Sequence, residues 1–249
     1  MQALGIDIGG TGIKVAKVES DTGELIGERV RLKTPTPSTP GRVVEAVAQA
    51  VRQLDWKGDR AGCGFPGVVR RGVVFTAANV SKKWIGVRAN ELLAETTGSR
   101  VVVANDADLA GLAEMRVGAG RAQTRGVVLM LTFGTGIGTA LFHDGVLVPN
   151  CELGHIEIRG RDAETWASER VRVDQGLSFK KWARRVNLYL QRMHAYFWPD
   201  LIIFGGGVSK KFDAYAAHLS APCPIVPAAL RNRAGVVGAA LAAAEGLEV

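Results

Sequence analysis

Three cysteines in 249 residues, none in a CxxC pair, leave no disulfide framework and no cysteine-based zinc site to look for. No apolar run approaches the roughly 20 residues that cross a bilayer, so no membrane partner is expected. The start of the chain has no charged segment followed by an apolar one, and the expected compartment is the cytoplasm. Aromatic residues make up only 6%. There is no helix-turn-helix pattern, zinc finger or aromatic–basic RNA platform, so nucleic acid is not an expected partner. Two common nucleotide loops are missing as well. A Walker loop needs Gly-Lys-Ser/Thr ahead of a helix, whereas Lys14 follows Ile13 and leads into strand-like sequence. The dinucleotide fingerprint fails at Thr139, where Gly134 and Gly136 would call for a third glycine or alanine.

What is present is an ordinary globular composition, 47% hydrophobic and 22% charged, with a formal net charge of +7. That length serves one large domain or two modest ones. Basic doublets stand at Arg70-Arg71, Lys82-Lys83, Lys180-Lys181, Arg184-Arg185 and Lys210-Lys211. A field of this sign retains polyanions, and a phosphate-bearing small molecule or polymer suits it best.

The most informative stretch is Leu4–Val15, where an apolar run meets Asp7, enters Gly9-Gly10-Thr11-Gly12 and resumes around Lys14. It reads as a hairpin whose glycine tip uses backbone angles closed to other residues. Amide groups in such a tip can cradle phosphate, Thr11 and Lys14 add a hydroxyl and a charge, and Asp7 is placed for a hydrated magnesium ion. A third strand, a proline-rich loop over 34–41, a helix over 42–54 and a strand over 61–64 follow. A possible hairpin over 68–75, a helix over 91–97 and a strand over 101–104 complete the first half. The plan then repeats, with a strand over 127–133, a glycine turn over 134–138 and strands over 139–142 and 146–149. Next come a basic helix over 178–198, a strand over 201–204, the Gly205-Gly206-Gly207 turn and an alanine-rich helix over 235–245. Two such halves imply a duplicated architecture with glycine tips facing a cleft.

Three further stations carry chemistry. Asn105-Asp106-Ala107-Asp108 opens a helix after a strand, where Asn and Asp are natural caps. A carboxylate there also suits a general base for a hydroxyl attacking phosphorus, with Asp106 preferred over Asp108 and Asn105 orienting the acceptor. Glu152-Leu153-Gly154-His155, with Glu157 and Glu164 beyond, lacks HExxH spacing and suits a polyol better than a metal. Glu157 alternates with Ile156 and Ile158, as the solvent side of a strand would. After Gly205-Gly206-Gly207, a helix is expected to aim its N-terminus at anions, with Lys210 and Lys211 behind it.

Taken in order, DIGGTGIK, NDAD, FGTGIG, ELGH and FGGGVS resemble the sugar kinases of the repressor–ORF–kinase group, in the actin–hexokinase–chaperone ATPase superfamily. Thr76–Trp84 and Glu152–Glu164 are similar, more narrowly, to the polyphosphate glucokinase branch. The resemblance implies an α/β, two-lobed actin-like (ribonuclease H-like) fold with a central cleft. Residues 1–106 would form the small lobe and 107–249 the large one, with the last helix available to pack back on the small lobe. It implies phosphoryl transfer from polyphosphate or ATP to the 6-hydroxyl of glucose, with Mg2+ as cofactor, mannose as another acceptor and a homodimer as the assembly. Asp106 is then the base. Asn105, Asp106, Glu152 and His155 bind sugar, with Gly67, Asn79 and Glu164 as further sugar-site candidates. Asp7, Gly9, Gly10, Thr11 and Lys14 form the first phosphate loop, Thr132, Gly134 and Thr135 the second, and Gly205 and Gly206 the third, with Lys210 as a further phosphate ligand. Many relatives carry a cysteine-rich zinc loop after the GH element; Arg159–Ala167 holds no cysteine, and zinc is not expected. Lys82, Lys83, Arg121, Lys210 and Lys211 are candidates for a polyphosphate track. The alternatives are an ATP-only kinase for glucose, mannose or N-acetylmannosamine, and a sugar sensor without catalysis.

Overall fold

A computed structural model describes residues 1–247. The chain divides into two compact units, one made of Met1–Ala113 together with the segment from Arg233 on, the other of Glu114–Asn232.

In the first unit, β1 (Gln2–Ile8), β2 (Gly12–Glu19) and β3 (Glu24–Lys33) form an antiparallel meander. After α1 (Pro40–Gln53), β4 (Arg60–Phe65) joins β1 in parallel. The small hairpin β5 (Val69–Arg70) and β6 (Val73–Val74) and helix α2 (Ala89–Thr97) precede β7 (Arg100–Asn105), which is parallel to β4. Helix α3 (Asp106–Val117) follows at once. The sheet order is β3-β2-β1-β4-β7. β1 is buried almost throughout, as an apolar central strand should be. α1 starts on Pro40 and buries the stripe Val43, Val47, Ala50 and Val51. α2 stops at Gly98 in the left-handed region, the expected stop signal.

The second unit repeats the pattern. β8 (Val127–Phe133), β9 (Ile137–His143) and β10 (Val146–Val148) form the meander. A hairpin of β11 (Glu157–Ile158) and β12 (Arg161–Asp162), and helices α4 (Glu164–Ala167), α5 (Glu169–Asp174) and α6 (Phe179–Phe197), lead to the parallel strands β13 (Leu201–Gly205) and β14 (Ile225–Pro227). The order β10-β9-β8-β13-β14 matches the first sheet, so the duplication read from the glycine turns is real. The core of this unit is aromatic. Phe133 stacks on Phe204 at 4.7 Å and meets Trp182 edge-on at 5.5 Å. Buried Glu114, the first residue of this unit, accepts backbone N–H bonds from Ala119, Ala229 and Leu230, tying the segment after β14 to the start of the same unit.

The last helix, α7 (Ala234–Glu245), belongs to the first unit and packs on β1 and β4. Nine of its residues are buried, so it is apolar all round. Its backbone lies directly on the sheet. A Cβ on Gly5 would overlap the Val236 carbonyl, and one on Gly62 the Ala239 carbonyl.

Two expectations fail. Neither Gly9 nor Gly10 has a positive φ, so the first tip does not need glycine for its backbone angles. Space is the reason at Gly10, where a Cβ would come within 2.7 Å of the Asn79 Cβ. After Gly207 there is no α-helix but a run of 3-10 turns, Gly207–Ala214, broken at Lys211. The Gly206 carbonyl accepts from both the Ser209 amide (3.2 Å) and the Ser209 hydroxyl (2.8 Å), which selects the tighter turn. No α-helix terminus therefore aims at anions there.

Candidate active site

Strand register sets the first group of residues. Asp7 lies opposite Gly64 on β4, and Gly64 opposite Ala104 on β7. Asp7 and the root of α3 thus occupy the same end of the sheet on strands separated by β4, about 10 Å apart at the usual strand spacing. Lys14, across the hairpin from Asp7, places Nζ 2.6 Å from Asp7 Oδ2; the two side chains are 27% and 13% exposed. Gly235, in the first turn of α7, lies against that carboxylate, and a Cβ there would be 2.9 Å from Asp7 Cγ. The first glycine tip is closed by a Gly9 N–H bond to the Gly12 carbonyl and by the Thr34 hydroxyl donating to the Gly9 carbonyl.

Asn105 caps α3. Its Oδ1 accepts from the Ala107 and Asp108 amides at 2.8 and 3.1 Å, and its Nδ2 donates to the Gly67 carbonyl at 3.3 Å. The capping reading and the link from Asn105 to Gly67 therefore coexist. Gly67, at φ +156, meets the Thr76 carbonyl so closely that no side chain fits. Asp106, half-buried, is fixed by this cap at the first position of α3, with Gly64 leaving open the space beside its Cα. Asn79 is exposed at φ +59 and touches the glycine tip rather than Asn105.

The second group sits in the other unit. Leu153–His155 form one 3-10 turn pressed on the start of β9, where a Cβ on Gly154 would overlap the Ile137 carbonyl. The Thr139 hydroxyl donates to the Cys151 carbonyl and accepts from the Leu153 amide, holding both sides of Glu152. His155 Nδ1 is 3.1 Å from Asp162 Oδ2 and 3.9 Å from Glu164 Oε1, and Nε2 is 3.9 Å from Glu152 Oε2. Burial would lower the His155 pKa, but the Asp162 hydrogen bond and the fields of Glu164, Glu152 and Asp162 together raise it. Glu152 is raised by burial, opposed by His155 and reinforced by Glu164. Glu164 also accepts from the Ile137 amide at 3.2 Å, joining this cluster to the second glycine turn. Glu157 is exposed on β11, the solvent side of a strand.

The second and third glycine turns are neighbours. Thr132 pairs with Gly205, and a Cβ on Gly206 would overlap the backbone of Phe133. Gly134 donates to the Gly136 carbonyl at 3.0 Å; Thr135 and Lys210 are exposed.

Asp162 is a residue that sequence reasoning missed. It returns to His155 through a two-residue turn, Arg159-Gly160 at φ 54 and 75, of the mirror-image kind that hairpins favour. Asp162→Asn keeps the shape and removes the charge. The His155 ring is then expected to titrate at lower pH, measured by 15N NMR. The sign follows from the raised value: the pairing is complete below about 6.5 and is lost as pH climbs through the folded-state value. An unchanged titration would show that Asp162 does not govern His155.

A doubled five-stranded α/β fold, with glycine turns at strand ends and a carboxylate at a helix head, defines an actin-like protein of the sugar-kinase class. A sequence profile of the ROK family matches residues 3–170. The chain belongs to the ROK family. It is 49% identical over 240 residues to the polyphosphate glucokinase of Mycobacterium tuberculosis, covering 96% of this chain and 90% of that protein. The inorganic polyphosphate/ATP-glucomannokinase of Arthrobacter sp. strain KM superposes with a TM-score of 0.93 at 49% identity, covering 99% of each chain. The ROK glucokinase of Streptomyces griseus, solved with glucose and AMPPNP, gives a TM-score of 0.83 at 26% identity, covering 99% of this chain and 100% of that one.

Proposed function

We propose that this protein is a glucose phosphotransferase that moves the terminal phosphoryl group of inorganic polyphosphate, or of ATP, onto the 6-hydroxyl of glucose. The observation that carries this reading is Asp106, held at the head of α3 by the Asn105 cap at the same end of the sheet as the Asp7–Lys14 pair. The polyphosphate glucokinase and the polyphosphate/ATP-glucomannokinase among its relatives support the choice of donor and sugar. The name of the latter also supports mannose as a second acceptor.

Asp106 takes the proton of the 6-hydroxyl as its oxygen bonds to the terminal phosphorus and the bond to the leaving phosphate breaks. Asn105, Glu152 and His155 bind the sugar hydroxyls. Glu164 braces His155 and the second glycine turn. Lys14, Thr11 and the amides of the glycine turns receive phosphoryl oxygens. Asp7 is a single carboxylate already shared with Lys14, which fits a magnesium ion held through water, with the donor's phosphates supplying the direct ligands. Such an ion would neutralise charge on the donor's oxygens.

A donor panel tests this. ATP, tripolyphosphate and long-chain polyphosphate are offered with glucose or mannose, and the sugar 6-phosphate is measured. Glucose 6-phosphate from polyphosphate is the expected product. Transfer from ATP alone would overturn the choice of donor, and no transfer from any donor would overturn the enzymatic reading.

A further inference from the structure

Helix α6 carries Lys180, Lys181, Arg184, Arg185 and Arg192 and contains no acidic residue in its nineteen positions. Lys180, Lys181, Arg184 and Arg192 are exposed, opposite the buried stripe of Trp182, Val186, Tyr189, Leu190 and Met193. None of these four makes an ion pair among the described residues, whereas Arg170 and Arg172 on α5 are paired with Asp174 and Glu169. Arg185 is committed to the Trp166 carbonyl and Gln175. From Lys180 to Arg192 the helix runs about 18 Å.

The run after the third glycine turn packs against the start of this helix. Lys210 and Lys211 follow that turn directly, and both are exposed and without an ion pair among the described residues. Beneath them, Phe212 meets Tyr215 at 5.4 Å and Tyr215 meets Phe179, the first residue of α6, at 5.4 Å. Asn187 pins the middle of α6 to the His218 carbonyl and the Ser220 amide, each at 2.9 Å. Packing thus holds six uncompensated cations on two adjoining elements, with Asp213 the one acid in the Gly207–Ala214 run. Four bare cations along one helix favour a flexible chain of regularly spaced charges over a compact anion.

We propose that the outer face of α6, continuous with Lys210 and Lys211, is a docking surface for the distal phosphates of a long inorganic polyphosphate chain. The inference rests on the proposed polyphosphate reading and deepens it. The reacting end sits at the glycine turns, and the remainder of the chain lies along α6. Chains too short to reach α6 gain nothing from it.

The test is the variant Lys180→Gln, Lys181→Gln, Arg184→Gln, Arg192→Gln, which leaves Lys210 and the glycine turns intact. Its KM for long-chain polyphosphate is expected to rise about tenfold or more and to depend less steeply on salt. Its KM for tripolyphosphate, for ATP and for glucose should stay within about twofold, since those substrates gain nothing from a remote positive field. Binding of long-chain polyphosphate is measured in parallel by gel mobility, without turnover. An unchanged KM and mobility with long chains would overturn the surface, as would an equal loss with tripolyphosphate or ATP. Wild-type protein that binds long chains through α6 without transferring from them would keep the surface and overturn the donor. Preferential retention of duplex DNA over polyphosphate would assign the face to another partner. Arg184→Lys with Arg192→Lys should retain the wild-type values, separating charge from packing.

Discussion

Asp106→Asn is expected to lower kcat for glucose phosphorylation about a thousandfold, within the range seen when a general base is removed. That is about 4 kcal/mol of transition-state stabilisation. The amide keeps the volume and the neighbours of the carboxylate but cannot take the proton. The cap on α3 does not depend on it, because Asn105 supplies the acceptor for the Ala107 and Asp108 amides. The melting temperature should therefore hold, and glucose affinity by calorimetry should change less than about twofold, since the loss falls on a proton transfer rather than on binding. Loss of glucose binding with turnover preserved would contradict the assignment and make Asp106 a sugar ligand only.

The second large effect is on stability. Gly62 on β4 faces the backbone of α7, and an added methyl would overlap the Ala239 carbonyl. No flexible side-chain end can yield there, so Gly62→Ala must push α7 away from the sheet. Overpacking of this kind costs about 3 kcal/mol at the upper end of its usual range. For a chain of this size, that lowers Tm by roughly 6–12 °C. Gly41→Ala, in α1 with nothing near its Cβ, is the control and should be neutral or stabilising. A Tm for Gly62→Ala within a degree of wild type would show that the contact is slack. Because Gly235 lies against Asp7, the same displacement should also raise KM for the phosphoryl donor.

Much of this molecule was legible in its sequence where the signal is local. Alternation and glycine turns gave both meanders, Gly98 stopped α2, and Asn105-Asp106 opened α3. The basic helix expected over 178–198 is α6, Phe179–Phe197, with Ser178 and Trp198 as its caps. What escaped was set by partners distant in the chain. Asp162 reaches His155 only once the Arg159-Gly160 turn folds, and Arg-Gly is a weak turn signal beside Asn-Gly. Gly10 looked like a residue needed for its backbone angle, but the constraint comes from Asn79, far along the chain. A helix is expected after Gly207, yet Ser209 bonding back to Gly206 selects 3-10 turns.

The placement of α7 has a consequence for biosynthesis. More than two hundred residues separate Ile8 from Ala234, so at about 5–20 residues per second a ribosome finishes β1 ten seconds or more before α7 emerges. Once β4 has followed, the nascent chain displays the apolar face of β1 and β4 without its cover until α7 emerges. An early strand pair thus waits for a helix translated far behind it, and until then its apolar face is open to wrong partners.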